Sequence, residues 1–184
     1  MAGALTLARE KSAHIHRGLI STLFPSNRRG HDPKRLLDGR SPQLRYNLAM
    51  YTLRVRSAQR EELVEFTDEV QRQLKESGAR EGVIVLYVQH TTAGLTVNEN
   101  ADPDVPRDML HAFRTLIPQH GMGFRHGEEN SDAHIKATLV GSSVTVPFKD
   151  GKLLLGRWQG IFLCEFDGGR ERQVIMTVLP AQHS

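Results

Sequence analysis

The segment VQHTTAGLTVNENADPDVPRD, Val88 to Asp108, sets His90, Thr91 and Thr92 directly behind a short apolar run. Asn98, Glu99, Asn100, Asp102, Asp104 and Asp108 follow. Buried polar groups cost stability unless each finds a partner, so this density at a strand end marks a site rather than a stretch of core. His90 stands where a side chain can leave the core and face a cleft; its plainer role would be to cap the strand through a backbone hydrogen bond. Thr91 and Thr92 beside Gly94 offer two hydroxyls and freed backbone N–H groups, a cradle suited to phosphate. On a strand edge the same threonines serve β-propensity alone. Asn100 or Asp102 can cap a following helix and Asp104 can complement its dipole. Glu99 has no such assignment and is the candidate general base or metal-shell carboxylate.

A second polar segment, HGEENSDAHIKA, runs from His126 to Ala137. His126 falls on a loop and His134 one turn into a short helix that Asn130 or Ser131 can cap. Reversal of the chain at that cap can bring the two imidazoles together, a donor pair suited to Zn, Mn, Fe or Ni. Asn130 and Ser131 at a helix N-terminus form a candidate anion site. Lys136 either adds positive charge there or simply faces solvent. Glu165, inside GIFLCEFD, is an acid in a strongly apolar strand. It needs Arg157, Arg170 or Arg172 as an ion-pair partner, or a place in the active centre. Cys164 beside it is the only cysteine, which excludes an intramolecular disulfide, fits a reducing cytoplasmic setting and reads as a core filler. His111 and His120 read as surface positions.

The elements that must carry these groups follow from periodicity. Tyr51, Leu53 and Val55 alternate as a half-buried strand. Leu63, Phe66, Val70 and Leu74 repeat at helical spacing up to Gly78. Val83 to Val88 reads as a buried strand and Gly94 to Val97 as a short one. Pro103 or Pro106 opens a helix through Val105, Met109, Phe113 and Leu116, closed by Pro118. A third helix carries Ala133 to Val140. Ser143–Phe148 and Leu153–Leu155 flank Asp150-Gly151, a hairpin signal, and Ile161–Phe166 and Val174–Leu179 flank Asp167-Gly168-Gly169, read as a second hairpin. About seven strands and two or three helices, with the helices early, predict an α+β domain on antiparallel sandwich-like sheets.

The chain has 184 residues, 39% apolar and 24% charged, enough for one domain with a real core. Its net charge of +3 is uneven. Residues 1–45 hold nine Lys/Arg against three acids, whereas residues 46–184 hold 15 against 18. That mildly acidic body does not read as a nucleic-acid surface, so binding of RNA or DNA through the basic front ranks last. Residues 1–45 lack periodicity and include SNRRGHDPKRLLDGRSP, the composition of a disordered extension. An address peptide, or translation begun upstream of a true start near Met50, would look the same. His14 and His16 alone are weak as a metal site. The longest apolar run, Val83 to Val88, is far short of the roughly 18 residues of a membrane span.

Taken in order, His90-Thr91-Thr92-Ala93-Gly94, Asn98 through Asp104, His126 through Asn130, Ala133 through Ala137, Gly156 through Phe162 and Glu165-Phe166-Asp167-Gly168 resemble the YjbQ family of secondary thiamine-phosphate synthases. The resemblance spans roughly residues 48–180. It implies a compact α+β domain assembled as a homotrimer, with a site around His90, His126 and His134 that holds a divalent metal or an anion. It also implies an activity that joins a pyrimidine diphosphate to a thiazole phosphate with loss of pyrophosphate. On this reading Thr91, Thr92, Asn130 and Lys136 contact phosphate and Glu99 orients a proton or ligand. The alternative is a non-catalytic module for phosphorylated metabolites or metals whose synthase activity is incidental. One departure stands out: where the family has Glu-Gly-Asn, this chain has Glu128-Glu129-Asn130. It loses easy access to positive φ and gains a charge beside the anion site.

Overall fold

The structure, a computed structural model, describes residues 48–181; the basic front of the chain, including His14 and His16, lies outside them. The elements are β1 (Ala49–Arg56), β2 (Glu62–Glu65), α1 (Thr67–Ser77), β3 (Glu81–Val88), β4 (Ala93–Glu99), α2 (Asp104–Leu116), α3 (Ser131–Val140), β5 (Ser143–Lys149), β6 (Lys152–Leu153), β7 (Gln159–Glu165) and β8 (Glu171–Pro180). Two antiparallel sheets result, one ordered β1-β8-β3-β5-β6 and the other β2-β7-β4. The α+β class with antiparallel sheets is as expected.

The core lies between the sheets. Leu53, Val55, Ile84, Leu86, Val146, Phe148, Val174 and Met176 of the larger sheet meet Leu95, Ile161 and Leu163 of the smaller one, with Val70 and Leu74 of α1 added. Behind the smaller sheet a second cluster joins Cys164 and Phe166 to Ala133 and Ala137 of α3. β7 is therefore covered on both faces, which is why GIFLC reads as an unbroken apolar run.

Two expectations are corrected. Leu63 lies in β2, paired with Cys164, and α1 begins only at Thr67; a four-residue strand followed at once by a helix mimics helical spacing. More consequentially, β7 and β8 do not form a hairpin. β7 belongs to the smaller sheet and β8 to the larger, so Asp167-Gly168-Gly169 is a crossing between sheets. The Asp150-Gly151 hairpin between β5 and β6 is as read.

The chain makes two more crossings at the same end, at residues 57–61 and 89–92. The three are bonded to one another: Ser57 N–H donates to Arg170 O at 3.0 Å, Gly168 N–H to Arg60 O at 2.9 Å, Phe166 N–H to Thr92 O at 3.2 Å and Gln89 N–H to Gln173 O at 3.2 Å. A Cβ on Gly168 would come within 2.5 Å of Ser57 Oγ and 2.6 Å of Gln59 O, so glycine is what lets these crossings close on each other.

Candidate functional site

Of the polar residues singled out in the sequence, His90, Thr91, Thr92 and Glu165 lie at this triple crossing, and Asn130 bonds to Asp167 there. Glu165, fully buried at the end of β7, accepts from Arg172 Nε and Nη2, both at 2.6 Å. Ser57 Oγ at 3.2 Å and the N–H groups of Phe166 and Asp167 fill its remaining lone pairs. Of the three arginines considered, Arg172 is thus the buried partner. Arg172 Nη2 also donates to Thr92 Oγ1 at 3.1 Å. With one lone pair occupied, that hydroxyl can donate to His90 Nδ1, 3.0 Å away, and Thr92 N–H donates to the same nitrogen at 3.2 Å.

The chain Glu165–Arg172–Thr92–His90 decides the state of the imidazole. A nitrogen that accepts two hydrogen bonds carries no proton, so His90 holds its proton on Nε2. Burial, and the positive charge of Arg172, lower its pKa from the ordinary 6.5, which favours the neutral ring. An exposed, neutral Nε2–H donor is the outcome. A metal on Nε2 would send the proton to Nδ1, where it could donate to Thr92 Oγ1 but would face Thr92 N–H. Thr92 is buried, and its hydroxyl is engaged by Arg172 and His90. Thr91 next to it is exposed and free to meet a ligand. Gly94 does not build a cradle either; a Cβ there would lie 2.8 Å from Gly141 O and from Val140 Cγ1, so it lets β4 pack on the end of α3.

His126 and His134 do come together, ring centroids 5.4 Å apart and edge to face. Among the described residues, however, no three His, Cys, Asp or Glu side chains cluster closely enough to hold a metal ion. Within one chain the described residues alone therefore do not assemble three such ligands. Asn130 holds the N-cap position of α3 without a side-chain capping bond. Its Nδ2 donates to Asp167 Oδ2 at 3.1 Å and Glu128 Oε2 at 3.3 Å, leaving Oδ1 buried and without a partner among the described residues. Both amide hydrogens are spent and the free atom is an acceptor, so as placed Asn130 offers nothing to phosphate.

Glu99 and Lys136 sit elsewhere. Ala93 pairs with Glu165 and Glu99 with Gln159, at opposite ends of β4 and β7; six residues of strand separate the two ends by roughly 20 Å. Within one chain Glu99 cannot serve His90. Lys136 lies two positions past His134 on α3, about 200° around the helix. It is 1% exposed, not solvent-facing, with Nζ 2.5 Å from Glu61 Oε1 and 2.8 Å from Asp132 Oδ2. Cys164 is core: burial pushes its thiol up to about 12, so it is no nucleophile. His111 and His120 are exposed. Sequence reasoning missed Ser57, Arg60, Glu61 and Arg114, whose importance arises only from the crossings.

The departure at Glu129 has a cost that can be measured. Glu129 adopts φ 55°, a left-handed conformation that disfavours a side chain by about 1 kcal/mol. Glu129→Gly is expected to raise stability by about that amount in urea denaturation; a loss of stability would show that the glutamate makes compensating contacts.

A family model described as UPF0047 protein YjbQ-like matches residues 51–181. A UPF0047 protein of Methanocaldococcus jannaschii is 48% identical over 130 residues, covering 71% of this chain and 94% of the relative. YugU of Bacillus subtilis is 47% identical over 121 residues, covering 66% and 92%. Among solved structures, a YjbQ/UPF0047 protein of Clostridium acetobutylicum superposes with TM-score 0.68 at 43% identity over 70% of this chain and 99% of its own. A YbjQ-like protein of Sulfolobus solfataricus gives 0.69 at 31% identity over 73% and 98%. The chain belongs to the YjbQ-like UPF0047 family.

Proposed function

We propose that this protein is a cytoplasmic transferase of the thiamine-phosphate-synthase type, acting on phosphorylated heterocycles. The observation that carries the reading is the bonding of His90 Nδ1 by Thr92, backed by the buried Arg172–Glu165 pair. In the reaction a C–N bond forms to the thiazole as the C–O bond to the diphosphate breaks, and negative charge grows on the departing pyrophosphate. A fixed neutral N–H donor aimed at that oxygen favours the charge as it develops and needs no reorganisation. Thr91, exposed beside His90, supplies a further hydroxyl.

In this reading the working unit is a homotrimer. On α2, Phe113 packs on Phe166 and no residue is fully buried, while Leu116 at its end is 72% exposed, apolar surface that a second copy would cover. Glu99, remote from His90 in its own chain, and a third ligand for a divalent metal at His126 and His134 would then come from a neighbour. Light scattering should return the mass of three chains; a monomer would remove this part of the proposal. No described helix is long and apolar enough to cross a membrane.

The non-catalytic module is favoured by one observation, the distance between His90 and Glu99. Turnover separates the two readings. The transferase should form thiamine phosphate from the pyrimidine diphosphate and thiazole phosphate, releasing one pyrophosphate per product. Thermal stabilisation by many phosphate compounds with turnover of none would decide for the module.

A further inference from the structure

A second cluster of charges, beside the histidine site but distinct from it, joins the 57–61 crossing to α2 and α3. Lys136 donates to Glu61 and Asp132. Arg60 grips Asp132 with two bonds, Nη2 to Oδ1 at 2.9 Å and Nη1 to Oδ2 at 3.1 Å, and lies 3.5 Å from Glu61 Oε1. Arg114, from the last turn of α2, donates through Nε to Glu61 Oε2. Burial pushes the Asp132 carboxyl up, but the bonds from Arg60 and Lys136 outweigh it and hold it below its ordinary value. Three cations thus face two anions, and one positive charge is left over.

That surplus lines a cleft. Gln59, Arg60, Glu61, Arg114, Gln119 and Lys136 surround about 490 Å³, within the usual range of small-molecule sites. None of the three histidines lines it. Glu61, the one acid in the wall, is capped on Oε1 by Lys136 and Arg60 and on Oε2 by Arg114. The donors left over are those an anion uses: the bonds to Glu61 and Asp132 occupy two of the three N–H groups of Lys136, and Arg114 binds Glu61 through Nε alone among the described residues. The terminal Nη1 and Nη2 of Arg114 remain as a planar fork on a half-exposed side chain. The bonded network holds one more cation than anions, with Asp167, itself paired to Arg170, acting on Arg60 from further off, and it borders an open cleft floored by a buried lysine.

We propose that this cleft is a binding site for a small oxyanion, the phosphate or carboxylate end of a metabolite, held by Arg114, Lys136 and Arg60. The site stands independently of the chemistry at His90.

Isothermal titration of the full chain with inorganic phosphate, and separately with acetate, at constant ionic strength tests it. Wild type should bind at least one of the two, and which it prefers tells a phosphate from a carboxylate ligand. Arg114→Ala should weaken that binding tenfold or more without unfolding the protein, since Glu61 keeps Lys136 and Arg60, while His90→Ala should bind as wild type does. Should Arg114→Ala itself unfold, Arg114→Gln keeps the packing and removes the charge, with the same loss expected. Binding of neither anion by wild type would overturn the proposal. So would loss in His90→Ala with retention in Arg114→Ala, which would place the anion at the histidines and leave the transferase reading standing.

Discussion

Arg172→Leu is expected to cost about 3–5 kcal/mol of unfolding free energy, the usual penalty for stripping one partner from a buried ion pair. Glu165 would stay buried with Ser57 and two backbone N–H groups, but its two charge-assisted bonds from Arg172 would be gone. These residues sit where three sheet-to-sheet crossings meet, so the loss falls on the contact that ties the sheets at that end. Urea denaturation measures it. Glu165→Met combined with Arg172→Leu should recover most of the loss, because the cost lies in the orphaned charge rather than in the space it fills. A single-variant loss below about 1 kcal/mol would mean that the pair behaves as though exposed.

The second large effect is on turnover. His90→Ala removes the donor and should lower kcat for thiamine phosphate formation by about 10²–10³-fold, the range for deleting one fixed donor to a developing oxyanion. Thr92→Val should do part of the same damage without touching the substrate. Removing the hydroxyl leaves Nδ1 only the Thr92 N–H as donor and loosens the hold on the ring, so kcat should fall with KM little changed. An unchanged kcat in His90→Ala would sink the assignment of His90, and an unchanged kcat in Thr92→Val would reduce the relay to a structural contact.

Much of this was legible from residue patterns, and its limits have physical causes. Alternation at Leu53 and Val55, the stop at Gly78 and the Asp150-Gly151 turn are local signals, and each element appears where its signal lies. The meeting of His126 and His134 also follows from local reversal at a helix start. Glu165 announced itself because an acid in GIFLC must be paired. What periodicity could not supply is which sheet a strand joins. Asp167-Gly168-Gly169 between two apolar runs looks like a hairpin whether the strands pair or part, and reading it as one hid the triple crossing. Lys136 illustrates the same limit: its partner Asp132 is one helical turn away, but Glu61 is 75 residues distant, and nothing in the local sequence distinguishes a buried lysine from a solvated one. Glu99 looked close to His90 because they are nine residues apart, yet a strand turns that interval into length.

The protonation of His90 decides whether it can act as a donor. Its lowered pKa means that the unfolded chain takes up a proton first, so this group's contribution to stability is present at neutral pH and is lost as pH falls through 6.5 toward the folded value. Long-range ¹H–¹⁵N correlation of the imidazole nitrogens across that range reads both tautomer and titration. The expected result is a protonated Nε2, a bare Nδ1 at pH 7, and a ring that remains mostly neutral at pH 6.5. A proton on Nδ1, or a ring already mostly charged at pH 6.5, would contradict it.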